Sequence, residues 1–404
     1  MHIKENIITF IKKETILCAA SILALSSMVL VPPSKEYISY IDFRVIGLLF
    51  CLMIVMAGLK SVGIFDKLMA LLLKHIHTTK QLAFILIISC FVLSMWITND
   101  VALITLVPFT IMICNKTNKN KLLIPVIVMQ TVAANLGSMC TPIGNPQNLY
   151  LYTTSGMSIT YFLKLMMPLT VISLVLILIS ILFLKKEPLA NNSKDNLYSK
   201  SNIADVKENS HNNSSIADIK ENLHGNSFTT DRTAKIKTVA YAILLVLCLL
   251  TVLRILDFKI LLIVVTLSAL IFEMRLFLQA DYMLLLTFSA FFIFIGNMKQ
   301  IDIINTFLCN IVSGNEVIVS VLSSQIISNV PAAILLSGFT KDFSSLIIGT
   351  NLGGLGTLIA SMASLISFKY YNATNHSDSR HYLFVFSLVN VLFLAILYAL
   401  CLII

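Results

Sequence analysis

Two hydrophobic hairpins with polar tips, each followed by a glycine-rich break in an apolar segment, limit what this chain can become more than any other feature. The first tip is Thr98-Asn99-Asp100, and its break runs from Asn135-Leu136-Gly137-Ser138 to Thr141-Pro142-Ile143-Gly144-Asn145-Pro146-Gln147-Asn148. The second tip is Ser328-Asn329-Val330-Pro331, and its break is Asn351-Leu352-Gly353-Gly354-Leu355-Gly356-Thr357. The same order in both halves implies an internal duplication. Helix-breaking polar sequence is tolerated at membrane depth only where it lines a cavity or is buried in protein. A matched pair of interruptions points to the binding site of a secondary transporter.

Composition supports a membrane protein. Of 404 residues, 57% are hydrophobic and only 12% charged, against about 25% charged in soluble domains. Apolar runs of about 20 residues, the length that spans a bilayer core, recur along the chain. The net charge of +9 is read as a topology signal, because most Lys and Arg fall in loops assigned to the cytoplasmic side; it does not imply nucleic acid. The eight cysteines are scattered singly without metal or redox spacing. The first apolar segment ends in Val31-Pro32-Pro33, not in a small-x-small cleavage site, and reads as an uncleaved span.

The expected fold is an all-α polytopic membrane protein with two inverted-topology repeats, each holding a re-entrant hairpin and a broken transmembrane helix. Residues 1–186 form the first repeat, 187–236 a disordered cytoplasmic linker, 237–258 an extra transmembrane helix, and 259–404 the second, inverted repeat. The linker is polar, and Ile203-Ala204-Asp205-Val206-Lys207-Glu208-Asn209 nearly repeats at 216–222. Lys4, Lys12 and Lys13 place the N-terminus inside. Basic flanks at both ends of 82–114 argue that both ends of the first hairpin face the cytoplasm. Its legs, at about 1.5 Å per residue, reach roughly 21–24 Å, enough to bring the tip near mid-membrane. The odd extra helix inverts the second copy, giving nine crossings and an outer C-terminus in the plasma membrane.

Charge is nearly absent from the expected core. Asp100 is the only acidic residue from 81 through 163, and 122–163 holds no Lys or Arg. Recognition of an anion then falls to helix N-termini and to side-chain amides and hydroxyls, while unwound carbonyls suit a cation. Asn99, Thr141, Pro142, Asn145, Asn329 and Thr357 are the candidate substrate residues. Thr98, Asn99, Asp100, Gly137, Ser138, Ser328, Asn329 and Gly353 are the candidate cation or proton residues, with sodium the possible metal there. Ser94, Gln147, Asn148, Ser361 and Ser364 are further candidate ligands. An intramembrane carboxylate such as Asp100 binds a cation, carries a proton, or caps a half-helix. The seven His residues lie in loops or tails, and no nucleophile–base constellation is present, so an enzyme is not expected. Beyond the coupling ion, no cofactor is implied.

At these motifs the chain resembles the ion transporter superfamily of citrate transporter-like and divalent anion/sodium symporter proteins, with arsenite permease and NhaD-type antiporter relatives. Thr141-Pro142-Ile143-Gly144 matches the break motif of the divalent anion symporters, and Gly353-Gly354-Leu355-Gly356-Thr357 keeps its glycines but is followed by Leu358 instead of Pro. The tips differ from the Ser-Asn-Thr of those symporters at their third positions, Asp100 and Val330. The resemblance implies elevator-type symport of a small anion, a di- or tricarboxylate such as citrate or succinate, with sodium or protons. It also implies that Asn99 and Asn329 contact substrate or sodium, that Gly137 and Gly353 lend carbonyls, and that the chain forms a homodimer. A sodium/proton antiporter and an arsenite-type oxyanion permease are the alternatives.

Overall fold

The computed structural model describes residues 14–73, 76–188, 231–375 and 377–403. Among them the regular structure is helical, with one isolated β-bridge between Thr78 and Pro188. Lys4, Lys12, Lys13 and residues 189–230 of the expected linker lie outside the described residues.

The helices of the first half are α1 (Thr15–Leu30), α2 (Phe43–Ser61), α3 (Ile64–Leu73), α4 (Thr79–Ile97), α5 (Asn99–Lys116), α6 (Leu123–Ser138), α7 (Pro146–Ser155) and α8 (Ile159–Leu182). Then follow α9 (Asp231–Val252), α10 (Phe258–Phe272), α11 (Tyr282–Lys299), α12 (Asp302–Val312), α13 (Glu316–Ile327), α14 (Asn329–Ser337), α15 (Phe343–Leu352), α16 (Met362–Asn372) and α17 (Ser379–Cys401). Residues 231–236, read from composition as linker, are the first turns of α9.

Short polar side chains start these apolar helices by bonding otherwise unpaired N–H groups. Asp42 accepts from the amides of Arg44 and Val45, and Asp281 from that of Leu284. The two caps share one backbone shape, φ −80°, ψ 87° and φ −81°, ψ 83°. Thr78 and Gln81 form a reciprocal capping box at α4.

Among the described residues seven helices are long and apolar enough to cross a membrane, or eight if the pair α12–α13, bent by 106°, is one span. The nine crossings expected from sequence include α1 and α10. These have 16 and 15 residues, about 24 and 22 Å, short of the roughly 30 Å hydrocarbon core. Lipid-facing surface is plain on the outer helices, where Val171, Val175 and Ile179 of α8 and Leu388, Val391 and Leu392 of α17 are exposed. An apolar belt of this kind is stable against lipid and not against water. The protein is a multi-pass integral membrane protein.

Two groups of helices emerge. In one, α4, α5, α8, α16 and α17 surround α6, and α13, α14 and α7 surround α15. Helix α6 is its centre: 78% of its apolar window is buried, against 22% for α17. In the other group, α1 packs on α11, and α9 and α10 pack on α2. The first span of each half thus lies on the second span of the other half. The groups meet mainly where α14 touches α11 and α7 touches α2. At that seam Tyr150 of α7 packs edge-on to Phe288, its hydroxyl shares a 2.6 Å hydrogen bond with Ser337, and Gly338 lets Ile295 approach.

Candidate functional site

Each tip is a helical hairpin, and the hydrogen bonds give the directions. Asn99 and Thr110 of α5 bond Asn135 and Gln130 of α6, so α5 runs antiparallel to α6. Gln130 reaches the Leu86 carbonyl, and Gly137 abuts the Phe91 carbonyl, so α4 runs parallel to α6. Helices α4 and α5 are therefore antiparallel about Thr98. In the second half Gly349 abuts Val317 and Gly353 abuts Ser324, so α13 runs parallel to α15. Thr340, beyond the end of α14, returns to bond Glu316 at the start of α13 at 2.8 Å.

Both turns rest on a strained residue. Thr98 has φ 70°, ψ 148° and Ser328 has φ 73°, ψ 154°. This region is essentially reserved for glycine, and a side chain there costs about 1–3 kcal/mol. The surrounding bonds hold each tip in place, and the threonine bonds and glycine seats recur at matching positions. Thr141 donates to the Met95 carbonyl, three residues before Thr98; Thr357 donates to the Gln325 carbonyl, three residues before Ser328. The Asn99 amide donates to the Gly144 carbonyl at 3.0 Å, and the Ser328 hydroxyl to the Ala360 carbonyl at 3.4 Å. A Cβ on Gly137 would meet Ser94 Oγ at 2.6 Å, and one on Gly353 would meet Ser324 Oγ at 2.5 Å.

Helix α6 stops at Ser138 and α7 starts at Pro146; α15 stops at Leu352 and α16 starts at Met362. Four helix N-termini (α5, α7, α14, α16) and four C-termini (α4, α6, α13, α15) therefore meet around the two breaks. The centre is a buried set of amides spanning both halves. Asn135 Oδ1 accepts from Asn99 Nδ2 at 3.1 Å and from Ser361 Oγ at 3.0 Å, while its Nδ2 donates to the Gly354 carbonyl. Asn351 Oδ1 accepts from Asn145 Nδ2 at 3.0 Å. The N-cap residue of each half-helix, Asn145 for α7 and Ser361 for α16, thus bonds the asparagine of the opposite half.

The second asparagine closes a ring whose polarity is fixed by the backbone. The Asn148 amide N–H donates to Asn145 Oδ1 at 2.8 Å, so Asn145 must present Nδ2 to Asn351. Asn351 Nδ2 donates to Asn148 Oδ1 at 2.6 Å, so Asn148 Nδ2 is turned to the carbonyls of Ser138, Met139 and Thr141. Once one N–H is committed, every amide in the ring has a determined orientation.

The structure brings Asn99, Ser138 and Asn145 into this network, with Ser138 Oγ accepting from Asn145 Nδ2. Pro142 lies buried in the first break. Asn329 is buried with its amide nitrogen against Gly354. Thr357 is exposed. The Gly137 carbonyl accepts the Cys140 amide and the Gly353 carbonyl accepts Gln325 Nε2. Asp100 sits in the first turn of α5; its Oδ1 is buried without a hydrogen-bond partner. Its counterpart, Val330, is apolar and buried. Among the described residues no cluster of His, Cys, Asp or Glu could hold a metal ion, and the eight cysteines are free.

Sequence reasoning missed the roles of five residues. Asn135 and Asn351 were visible as motif residues but not as the nodes of the network. Gln325, inside an apolar helix, carries no motif signal, yet it bonds across the second break. Glu187 and Glu316 fasten the open ends of the two hairpins. The Glu187 backbone pairs with Thr79, and its carboxylate forms an ion pair with Lys119, which holds the carboxyl below its ordinary range.

Comparison with known proteins supplies the lineage. A family model described as citrate transporter matches residues 7–342. The chain is 33% identical to an uncharacterized transporter of Methanocaldococcus jannaschii, with 83% of each chain covered. It is 28% identical to the inner membrane protein YbiR of Escherichia coli, covering 84% of this chain and 82% of the relative. Similarity to the silicon efflux transporter LSI3 of Oryza sativa is 33% over 32% of this chain and 26% of the relative.

Proposed function

The chain belongs to the citrate transporter family, and on that premise we propose that this transporter moves a small anion, of the di- or tricarboxylate class, by secondary active transport coupled to sodium or protons. The observation that carries the reading is the meeting of eight helix ends at one uncharged amide network shared by both halves. Free N–H groups at helix starts attract an anion. Carbonyls at helix ends and the Asp100 carboxylate attract a cation. Pairing the two in one site ties the movement of one ion to that of the other.

The recurrence of the tip and break bonds supports two inverted repeats with re-entrant hairpins. The narrow seam between the two helix groups, at Tyr150, Ser337 and Gly338, supports an elevator-type movement of the hairpin group against the other. Placement in the plasma membrane with the N-terminus inside and the C-terminus outside, and a homodimer, complete the proposal.

Purified protein in liposomes, given labelled citrate or succinate under an imposed sodium or pH gradient, tests it. Concentrative uptake that collapses with the gradient is expected. Cation flux that needs no organic anion would instead favour a sodium/proton antiporter. A second reading, movement of a small oxyacid such as arsenite, is favoured by Asp100, since an ionised carboxylate at a tip repels a substrate carboxylate. The partial similarity to a silicon efflux transporter points the same way. Arsenite resistance conferred on a sensitive host, without carboxylate uptake, would select it.

A further inference from the structure

Two amide nitrogens sit where main-chain carbonyls of the breaks converge. Asn148 Nδ2 faces three carbonyl oxygens of the first break, those of Ser138, Met139 and Thr141, at 3.4, 3.4 and 3.2 Å. Gln325 Nε2 faces the carbonyls of Gly353 and Leu355 in the second break at 3.1 and 2.9 Å, and that of Val321 at 3.2 Å. Convergent carbonyls on unwound backbone are the ligand type that coordinates sodium in broken-helix transporters.

We propose that Asn148 and Gln325 determine ion selectivity by filling the carbonyl cages of the two breaks with amide N–H groups, closing them to alkali cations. The inference rests on the cation-coupled reading above and narrows it: the coupling ion does not occupy these cages.

Neither amide can turn away. Gln325 Oε1 accepts the Thr357 backbone amide at 2.8 Å, so Nε2 must face the carbonyls. Gly356, at φ 106°, lets the Gln325 side chain lie so close that a Cβ on Gly356 would overlap it. Asn148 is held by the ring through Asn351. Each carbonyl keeps a second lone pair, but the point where the three directions cross is occupied by nitrogen. Sodium entering either cage would have to expel an amide and break its N–H bonds to the carbonyls, at the greatest cost for Asn148, which is fully buried. The equivalent positions are not plugged in the same way. Met95 stands at the position matching Gln325, and Ser364 at the one matching Asn148, its hydroxyl buried without a partner. The plugs are thus particular side chains, not a consequence of the repeat.

The test is the melting temperature of the full chain in detergent, in sodium chloride and in choline chloride at equal ionic strength, for the native sequence and for Gln325→Ala and Gln325→Met. The native protein sets the baseline, since sodium at a coupling site outside the cages raises its melting temperature without entering them. Gln325→Ala opens the second cage and is expected to show a sodium-specific rise about 2 °C or more above that baseline. Gln325→Met fills the same volume without a donor and is expected to stay at the baseline. A sodium-specific rise in the native protein equal to that of Gln325→Ala would overturn the proposal. Should Gln325→Ala fail to fold, Asn148→Ala opens the first cage and is read in the same two salts against the same baseline. Stabilisation by citrate or succinate in choline alone is read separately, so failure of the anion reading is distinguishable from failure of this one.

Discussion

The two hairpin tips share a skeleton and differ in chemistry. Thr98 and Ser328 adopt the same strained backbone, and each is braced by a threonine hydroxyl and a glycine seat in the following break. Yet the first tip carries Asp100 where the second carries Val330, and Asn99 bonds Asn135 while Asn329 lies against Gly354. The first break is bonded by Asn145 and Asn148, the second by Gln325 and Ser361. Backbone geometry is the duplicated element; the side chains at the tips and breaks are not. A site with two-fold shape can therefore hold two different ions in its two halves.

The largest test of this comparison is a methyl group. A Cβ on Gly137 would overlap the Phe91 carbonyl oxygen, which is backbone and cannot swing aside, whereas at Gly353 the nearest atoms belong to the Ser324 side chain and the closest backbone atom, the Gly349 carbonyl oxygen, is 2.9 Å away. Gly137→Ala is expected to destabilise by about 3 kcal/mol or more and Gly353→Ala by about 1–2 kcal/mol, measured by thermal unfolding. Equal losses would show that the two seats are the same after all.

Next comes the charge. Asp100→Asn keeps the size of the side chain and is expected to lower gradient-driven accumulation by about tenfold, within the range of coupling between two sites, with the melting temperature unchanged. Concentrative uptake that survives would make the tips functionally equal. Gln325→Ala, described above, sharpens the same contrast on the second side.

The open ends differ as well, and the smallest effect is at Glu187. Glu316 is buried and accepts from Thr340, so Glu316→Ala is expected to cost about 1–3 kcal/mol by stranding the hydroxyl. Glu187 is exposed, and Glu187→Gln should lower the melting temperature at neutral pH only slightly. Its sign with pH is definite. The Lys119 partner lowers the folded-state value below the ordinary 4.5. The ion pair therefore contributes above 4.5 and is lost as pH falls through the lowered value. Melting curves of native protein and Glu187→Gln should converge there, and a gap that widens on acidification would contradict the assignment.

Much of the site was legible before the fold. Thr98-Asn99-Asp100, Ser328-Asn329 and the glycine-rich breaks stand out because polar, helix-breaking residues are costly amid apolar sequence. Gln325 did not stand out, because one polar residue in a helix gives no periodic signal. Of the nine crossings expected, α1 and α10 fall short of a full span, α1 stopped by Pro32-Pro33 and α10 bounded by Asp257 and Glu273.

By itself the sequence determined that this chain enters a membrane, that its core carries almost no charge, and that its interruptions occur twice in the same order. These follow from composition and local backbone preference, which act over a few residues. Only the tertiary structure decided that Asn145 bonds Asn351 while Ser361 bonds Asn135, and that Asn148 and Gln325 fill the carbonyl cages. Those pairings join groups up to 226 residues apart, and a buried amide takes whichever partner the packed helices place within hydrogen-bond reach.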